Sequence, residues 1–177
     1  MSAMHSAAAS EPTRSVAPRW LQQIDRLVMG VVVVLTTLFF ICTVLQVFVR
    51  YVLEQSLPWT EEVSRYSFIW ASFLTAAVIV GRGEHFSIDF LLEKMSFRLR
   101  CATRIATTVL CLGFTLVLIF FGTRWSLRQM IATSPILELP QGLVYSIVPL
   151  AALHMSIHLL VQLFLAVGEL RRVRAMQ

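Results

Sequence analysis

Charge is what this chain has least of. Only 14% of its 177 residues are Asp, Glu, Lys or Arg, and 57% are hydrophobic, whereas soluble domains carry roughly 25% charged residues. A water-soluble domain of this length has no interior large enough for so much apolar surface, so that class is excluded. Cysteine is scarce as well. Cys42, Cys101 and Cys111 show neither pairing nor metal-ligand spacing and read as small buried hydrophobes. The chain has no nucleotide-binding loop, no nucleophile constellation and no internal repeat, which points away from an enzyme. Its net charge of +5 comes from basic residues that flank apolar runs and form no patch, so nucleic acid is a poor candidate for a partner.

What the chain does have is long uncharged runs. Leu27 to Val49 spans 23 residues, Tyr66 to Gly81 spans 16, Ile105 to Thr123 spans 19 and Leu139 to Gly168 spans 30. About 20 apolar residues cross a hydrocarbon core of roughly 30 Å. The expected fold is therefore an all-α integral membrane domain with four transmembrane helices, at about 27–49, 60–81, 105–123 and 140–168. The second run is short on its own, about 24 Å at 1.5 Å per residue. Starting that helix at Thr60, a fair N-cap, brings Glu61, Glu62 and Arg65 to headgroup depth, where a charge is tolerated. Residues 1–20, rich in Ser and Ala, read as a disordered tail ahead of a single membrane domain at 21–177. They do not read as a signal peptide, because the first run is too long and no small-residue cleavage site follows.

Lys and Arg set the orientation. With the N-terminus inside, eleven of them fall on inner segments and four (Arg50, Arg65, Arg124 and Arg128) on outer loops. The positive-inside rule then places both termini in the cytoplasm. Between the second and third spans, Ile88, Leu91, Leu92, Met95 and Leu99 recur at helical spacing among charged residues. That pattern predicts an amphipathic helix over about 87–100, lying on the cytoplasmic membrane surface. In the outer loop, Pro135 and Pro140 predict an extended segment, with Pro140 placed to begin the fourth helix and Pro149 to kink it.

The densest information lies between Leu57 and Asp89. Arg65 stands four residues after Glu61 and three after Glu62, so the spacing predicts an ion-pair triad within one helical turn. The small residues Ser67, Ala71 and Thr75 repeat every four positions and predict close helix packing inside the subunit. The face bearing Tyr66, Trp70, Phe73 and Ala77 is then expected to meet lipid or a partner. The preferred role for Trp59, Glu61, Glu62, Arg65 and Trp70 is docking and helix orientation at the outer interface. A plain surface ion pair and a coupling-ion site are the competing readings. Glu84, His85 and Asp89 form the inner counterpart: Asp89 is placed to cap the surface helix, and His85 to bond it or a lipid headgroup.

His154 and His158 stand one turn apart in the fourth run. A haem needs its two histidines on opposite sides of the ring, and these share one face. Zinc would need further ligands, and the first and third helices offer no acid or histidine at depth. Polar contact inside the bundle is the expected role, and no cofactor is assigned to this chain. A cytochrome b-like anchor of a redox complex is the alternative function, weakened by the same histidine count. A self-sufficient carrier is disfavoured too, because there is no acid at mid-membrane, no broken helix pair and no inverted repeat.

One combination is more specific. Pro58-Trp59, Glu61, Glu62 and Arg65 precede a short helix containing Trp70, followed by Glu84, His85 and Asp89. Ser134-Pro135, Leu139-Pro140, Tyr145 and Pro149 follow later. This pattern resembles the DctQ-type small membrane subunit of tripartite ATP-independent periplasmic (TRAP) transporters, over nearly the whole chain. The chain departs from the pattern at Gly142, where an aromatic is expected near the start of the fourth helix. The resemblance implies a subunit in the bacterial inner membrane that scaffolds a large DctM-type membrane subunit. A DctP-type periplasmic binding protein would deliver an organic acid, such as a dicarboxylate or sugar acid. The large subunit would bind the coupling ions, usually sodium.

Overall fold

The computed structural model describes residues 18–81 and 97–175. Five helices occupy them: α1 (Arg19–Val52), α2 (Pro58–Gly81), α3 (Phe97–Arg128), α4 (Gln141–Tyr145) and α5 (Ile147–Ala175). Four stretches are long and apolar enough to cross a membrane: Arg19–Val52, Pro58–Gly81, Ile105–Arg128 and Gln141–Gly168. The all-α, four-span architecture expected from the uncharged runs is the observed one. Most of the expected surface helix at about 87–100 lies outside the described residues. From Phe97 onward the chain is one continuous helix into the third span.

Helix ends differ from the runs where charges stand. The first uncharged run begins at Leu27, yet α1 begins at Arg19 and carries Asp25 and Arg26 on its first two turns. A run defined by lack of charge stops at the first ionisable residue; a backbone helix does not, provided the charge finds water or a partner. Pro58 occupies the first position of α2, where its missing N–H costs nothing. Thr60 is consequently one turn inside the helix and not its cap; its hydroxyl donates to the Leu57 carbonyl at 2.7 Å.

The fourth span is interrupted three residues before Pro149. In an unbroken helix the Pro149 nitrogen would donate to the Tyr145 carbonyl, and proline has no N–H to give. The helix assignment breaks at Ser146, between α4 and α5. Bonds from Ser146 N to Gly142 O (3.0 Å) and from Leu150 N to Ser146 O (3.3 Å) carry the chain across the interruption.

The helices stand in the row α1–α2–α5–α3. α2 and α5 form its centre, where small side chains let backbones approach. Ala71, Ala77, Ala151, Ala152, Ser67 and Ser156 are all buried there. About a third of each central span is buried within the chain, against about a tenth of α1 and of the α3 span (33% and 11%). The outward faces of the flanking helices are apolar, with Val34, Ile41, Leu110 and Phe114 all more than half exposed. In a bilayer such faces meet acyl chains or another apolar protein at no hydrophobic cost, so exposure here is not a liability. α3 and α5 are also tied by Ser156 and Thr115, whose hydroxyl oxygens lie 2.9 Å apart.

Gly142 answers the departure noted in the sequence. A Cβ at that position would strike the Ser126 carbonyl oxygen and come within 2.8 Å of the Met130 Cγ and Sδ. Ser126 Oγ donates to the Gly142 carbonyl at 2.6 Å, and Gly142 N donates to Gln129 O at 3.0 Å. The end of α3 and the start of α4 therefore meet backbone to backbone, and no side chain fits between them.

Candidate functional site

Polar side chains gather at the two ends of the row. The α1–α2 and α3–α4 connections mark one end, the loop end. The start of α1, Gly81 and the middle of α5 mark the other, the terminal end. Each end contains one acid drawn into the protein.

At the loop end that acid is Glu62. The expected triad does not form: among the described residues no ion pair joins Glu61 or Glu62 to Arg65. Glu62 is only 1% exposed. Its Oε2 accepts the Ser134 hydroxyl at 2.9 Å and the Leu137 amide at 3.0 Å, while its Oε1 is buried with no hydrogen-bond partner among the described residues. The helical spacing to Arg65 was legible, but the loop more than 70 residues downstream supplies donors that keep the carboxylate from water. Hydrogen bonds to a charged acceptor contribute about 1.5–3 kcal/mol each.

The same bonds explain why the proline segment is folded and not extended. Thr133 and Pro140 form an isolated antiparallel bridge, Ser134 N donates to Leu139 O at 2.9 Å, and Gln141 N donates to Ala132 O at 2.8 Å. Glu138 sits in the left-handed region at φ 54°, an uncommon conformation for a residue with a Cβ. Between its two prolines the chain closes into a small loop seated on Glu62.

The aromatic face of α2 is also turned inward. Trp70 is half-buried, and its indole N–H donates to the Val144 carbonyl at 3.1 Å; Ala77 is fully buried. The small-residue face packs inside as expected, with Ser67 and Ala71 buried. The small face is thus buried within the chain and the aromatic face half-buried, because α2 stands between α1 and α5. What remains outside at this end is Trp59, Glu61 and Arg65, all exposed. The Arg65 guanidinium lies 5.8 Å from the centroid of the Tyr66 ring, a cation–π distance. Beside it opens a cleft of about 240 Å³, lined by Arg65, Tyr66, Ile69, Pro135, Gln141 and Tyr145 among others. The inner candidates Glu84, His85 and Asp89 lie outside the described residues.

At the terminal end the structure brings together residues that the sequence reading kept apart. Asp25 Oδ1 lies 2.9 Å from His154 Nε2 and 3.0 Å from His158 Nε2, and the two Nε2 atoms are 3.3 Å apart. The expectation that no acid from the first helix reaches the histidines is wrong, because α1 begins eight residues before the uncharged run. His158 is 1% exposed, and it owes its position to Gly81. A Cβ there would stand 2.5 Å from the ring Cε1 and 2.6 Å from each ring nitrogen. Gln162 Nε2 donates to the Val80 carbonyl at 3.0 Å one turn further along α5, covering part of the open end of α2. The haem alternative fails on this geometry, since both rings aim at one carboxylate oxygen and leave no gap for a macrocycle.

Comparison with known proteins agrees with the architecture. Residues 39–169, from the middle of the first span to the end of the fourth, match the family described as "Tripartite ATP-independent periplasmic transporters, DctQ component". A Haemophilus influenzae chain described as a TRAP transporter small permease protein is 30% identical over 152 residues, covering 85% of this chain and 91% of that one. A second relative, from Oleidesulfovibrio alaskensis, is named "Isethionate TRAP transporter permease protein DctMQ". It is 27% identical over 104 residues, which is 58% of this chain but only 16% of that much longer protein.

Proposed function

Since this chain belongs to the DctQ component family of tripartite ATP-independent periplasmic transporters, we propose that it braces a large DctM-type subunit during transport. The uptake itself, of an organic acid such as a dicarboxylate or sugar acid, is driven by an ion gradient. Sodium is the expected ion, bound in the large subunit, and a DctP-type periplasmic protein delivers the cargo. The carrying observation is the contrast in burial across the row. About a third of each central span is buried within the chain against about a tenth of the flanking ones (33% and 11%), and α1 and α3 present long apolar faces. Large rigid apolar faces on both flanks suit a part that supports another membrane protein. The DctMQ relative lends support, because its name joins an M and a Q component in one longer protein.

In this reading the loop end faces the periplasm and both termini face the cytoplasm of a bacterial inner membrane, as the eleven-to-four distribution of Lys and Arg favours. Trp59, Glu61 and Arg65 then form the outer docking surface, whereas Glu62 and Trp70 hold that surface in shape from inside. Copurification tests the arrangement. Expressed with a cognate DctM-type subunit in mild detergent, the chain is expected to elute with it in a stable complex, and separate elution would contradict the bracing role. Reporter fusions at the C-terminus and after Glu54 check orientation: a cytoplasm-dependent fluorophore is expected to work only at the C-terminus.

A further inference from the structure

We propose that Asp25, His154 and His158 form a binding site for one divalent transition-metal ion of the zinc class, clamping α1 to α5 across the end of α2. The inference stands on the geometry of three donor atoms and is independent of the bracing role. Zinc binds imidazole nitrogen at about 2.0–2.1 Å and carboxylate oxygen at about 2.0–2.2 Å, usually with tetrahedral geometry, so neighbouring ligand atoms stand about 3.3 Å apart. The three edges here are 2.9, 3.0 and 3.3 Å. The donors already occupy one face of such a tetrahedron, and movements of a few tenths of an ångström bring all three to bonding distance.

The donor types narrow the ion. Two imidazoles and one carboxylate suit zinc, copper, iron or nickel, while magnesium and calcium prefer sites built of oxygen. Histidines at i and i+4 on one helix present their nitrogens to a common point, and α1 supplies the third ligand from a separate chain segment. In the hydrogen-bonded form both Nε2 atoms converge on the same Asp25 oxygen and on each other, each as donor or acceptor according to its ring's tautomer. With each ring carrying its proton on Nδ1, all three atoms offer a lone pair to a cation placed between them. Asp25 and His154 retain side-chain exposures of 16% and 14%, which leaves a route for the ion and a place for a water as fourth ligand. Gly81 provides the room for the most buried ligand, because any side chain there would displace the His158 ring.

The ion would act as a structural clamp. Among the described residues, α1 packs mainly on α2 and has no extensive contact with α5 apart from the Asp25 cluster. A shared metal at the terminal end would hold the first turns of α1 against α5 and fix the angle at which the flanking helix leaves the centre. This departs from the sequence reading, which gave the chain no ion of its own because Asp25 fell outside the first uncharged run.

The test uses the full chain in detergent, purified on a tag without histidine, stripped with EDTA and dialysed. Zinc is titrated with a competing chromophoric chelator while metal content is measured by mass spectrometry. One zinc per chain is expected, together with an unfolding midpoint that rises with zinc concentration. Cobalt added to the same stripped protein is expected to give the intense visible bands of a tetrahedral ion, a readout that needs no variant. H154Q and D25N are each expected to weaken zinc binding about a hundredfold or more, since even outer-shell changes at metal sites cost about 10–100-fold. Glu62→Gln, at the opposite end, is expected to leave the affinity unchanged. A stripped protein that takes up no stoichiometric zinc and gives no tetrahedral cobalt spectrum would overturn the proposal, as would equal affinity in the doubly substituted H154Q/H158Q chain.

Discussion

The two ends of the row solve the same problem in different ways. Each draws a carboxylate out of solvent, and each uses a single oxygen of that carboxylate to gather two donors. At the loop end the donors to Glu62 are neutral and of unlike kind, a Ser134 hydroxyl and a Leu137 amide. They fix a loop to a helix, and a cation would gain little from them because an amide N–H offers no lone pair. At the terminal end the donors to Asp25 are two ring nitrogens, each able to turn from donor to ligand. The difference teaches that burial of an acid alone says little about function; the lone pairs converging with it decide what the site can hold.

The comparison is most sharply broken at Glu62. Glu62→Ala leaves the Ser134 hydroxyl and the Leu137 amide without their acceptor, at about 1–3 kcal/mol for each orphaned donor. A loss of about 2–5 kcal/mol is expected in thermal unfolding in detergent. The accompanying Ser134→Ala change should cost much less in the Glu62→Ala background than alone, which a double-mutant cycle will show. Next in size is Gly81→Ala. Its new Cβ would crowd the buried His158 ring, and overpacking of this kind costs about 1–3 kcal/mol. Pairing it with His158→Ala is expected to recover most of that loss, locating the effect at the terminal end.

A smaller effect is expected for Trp70→Phe, which removes the indole N–H donated to Val144 and keeps most of the ring. The expected cost is about 0.5–1.5 kcal/mol, read from the same unfolding midpoint. Arg65→Ala is the mildest. An exposed cation beside a ring contributes about 0.5–1 kcal/mol, so the midpoint is expected to move little, while recovery of the large subunit in mild detergent falls. If Arg65→Ala instead costs as much as Glu62→Ala, the division between an internal Glu62 and an outward Arg65 is wrong.

Much of this was legible in the sequence. The four spans, the small-residue face of α2 and the family all follow from uncharged runs and one ordered motif. What was not legible depends on contacts between distant segments. Glu62 has ideal spacing to Arg65, but donors beyond residue 130 compete for it and win because they also exclude water. Trp70 sits on an apparent outer face that is half-buried because α5 packs beside α2. Asp25 was lost for a simpler reason: a hydrophobic run ends at a charge by definition, and the helix that carries the charge does not. An acid within a turn or two of such a run, facing histidines on another span, is a signal that could have found the cluster.

On this reading the chain supports a transporter and does not carry the cargo. Uptake into proteoliposomes under an inward sodium gradient tests it most directly, using radiolabelled dicarboxylates and sugar acids with the cognate binding protein. No uptake is expected with this chain alone, and uptake is expected when the large membrane subunit is reconstituted beside it. Gradient-dependent accumulation by this chain without the large subunit would contradict it.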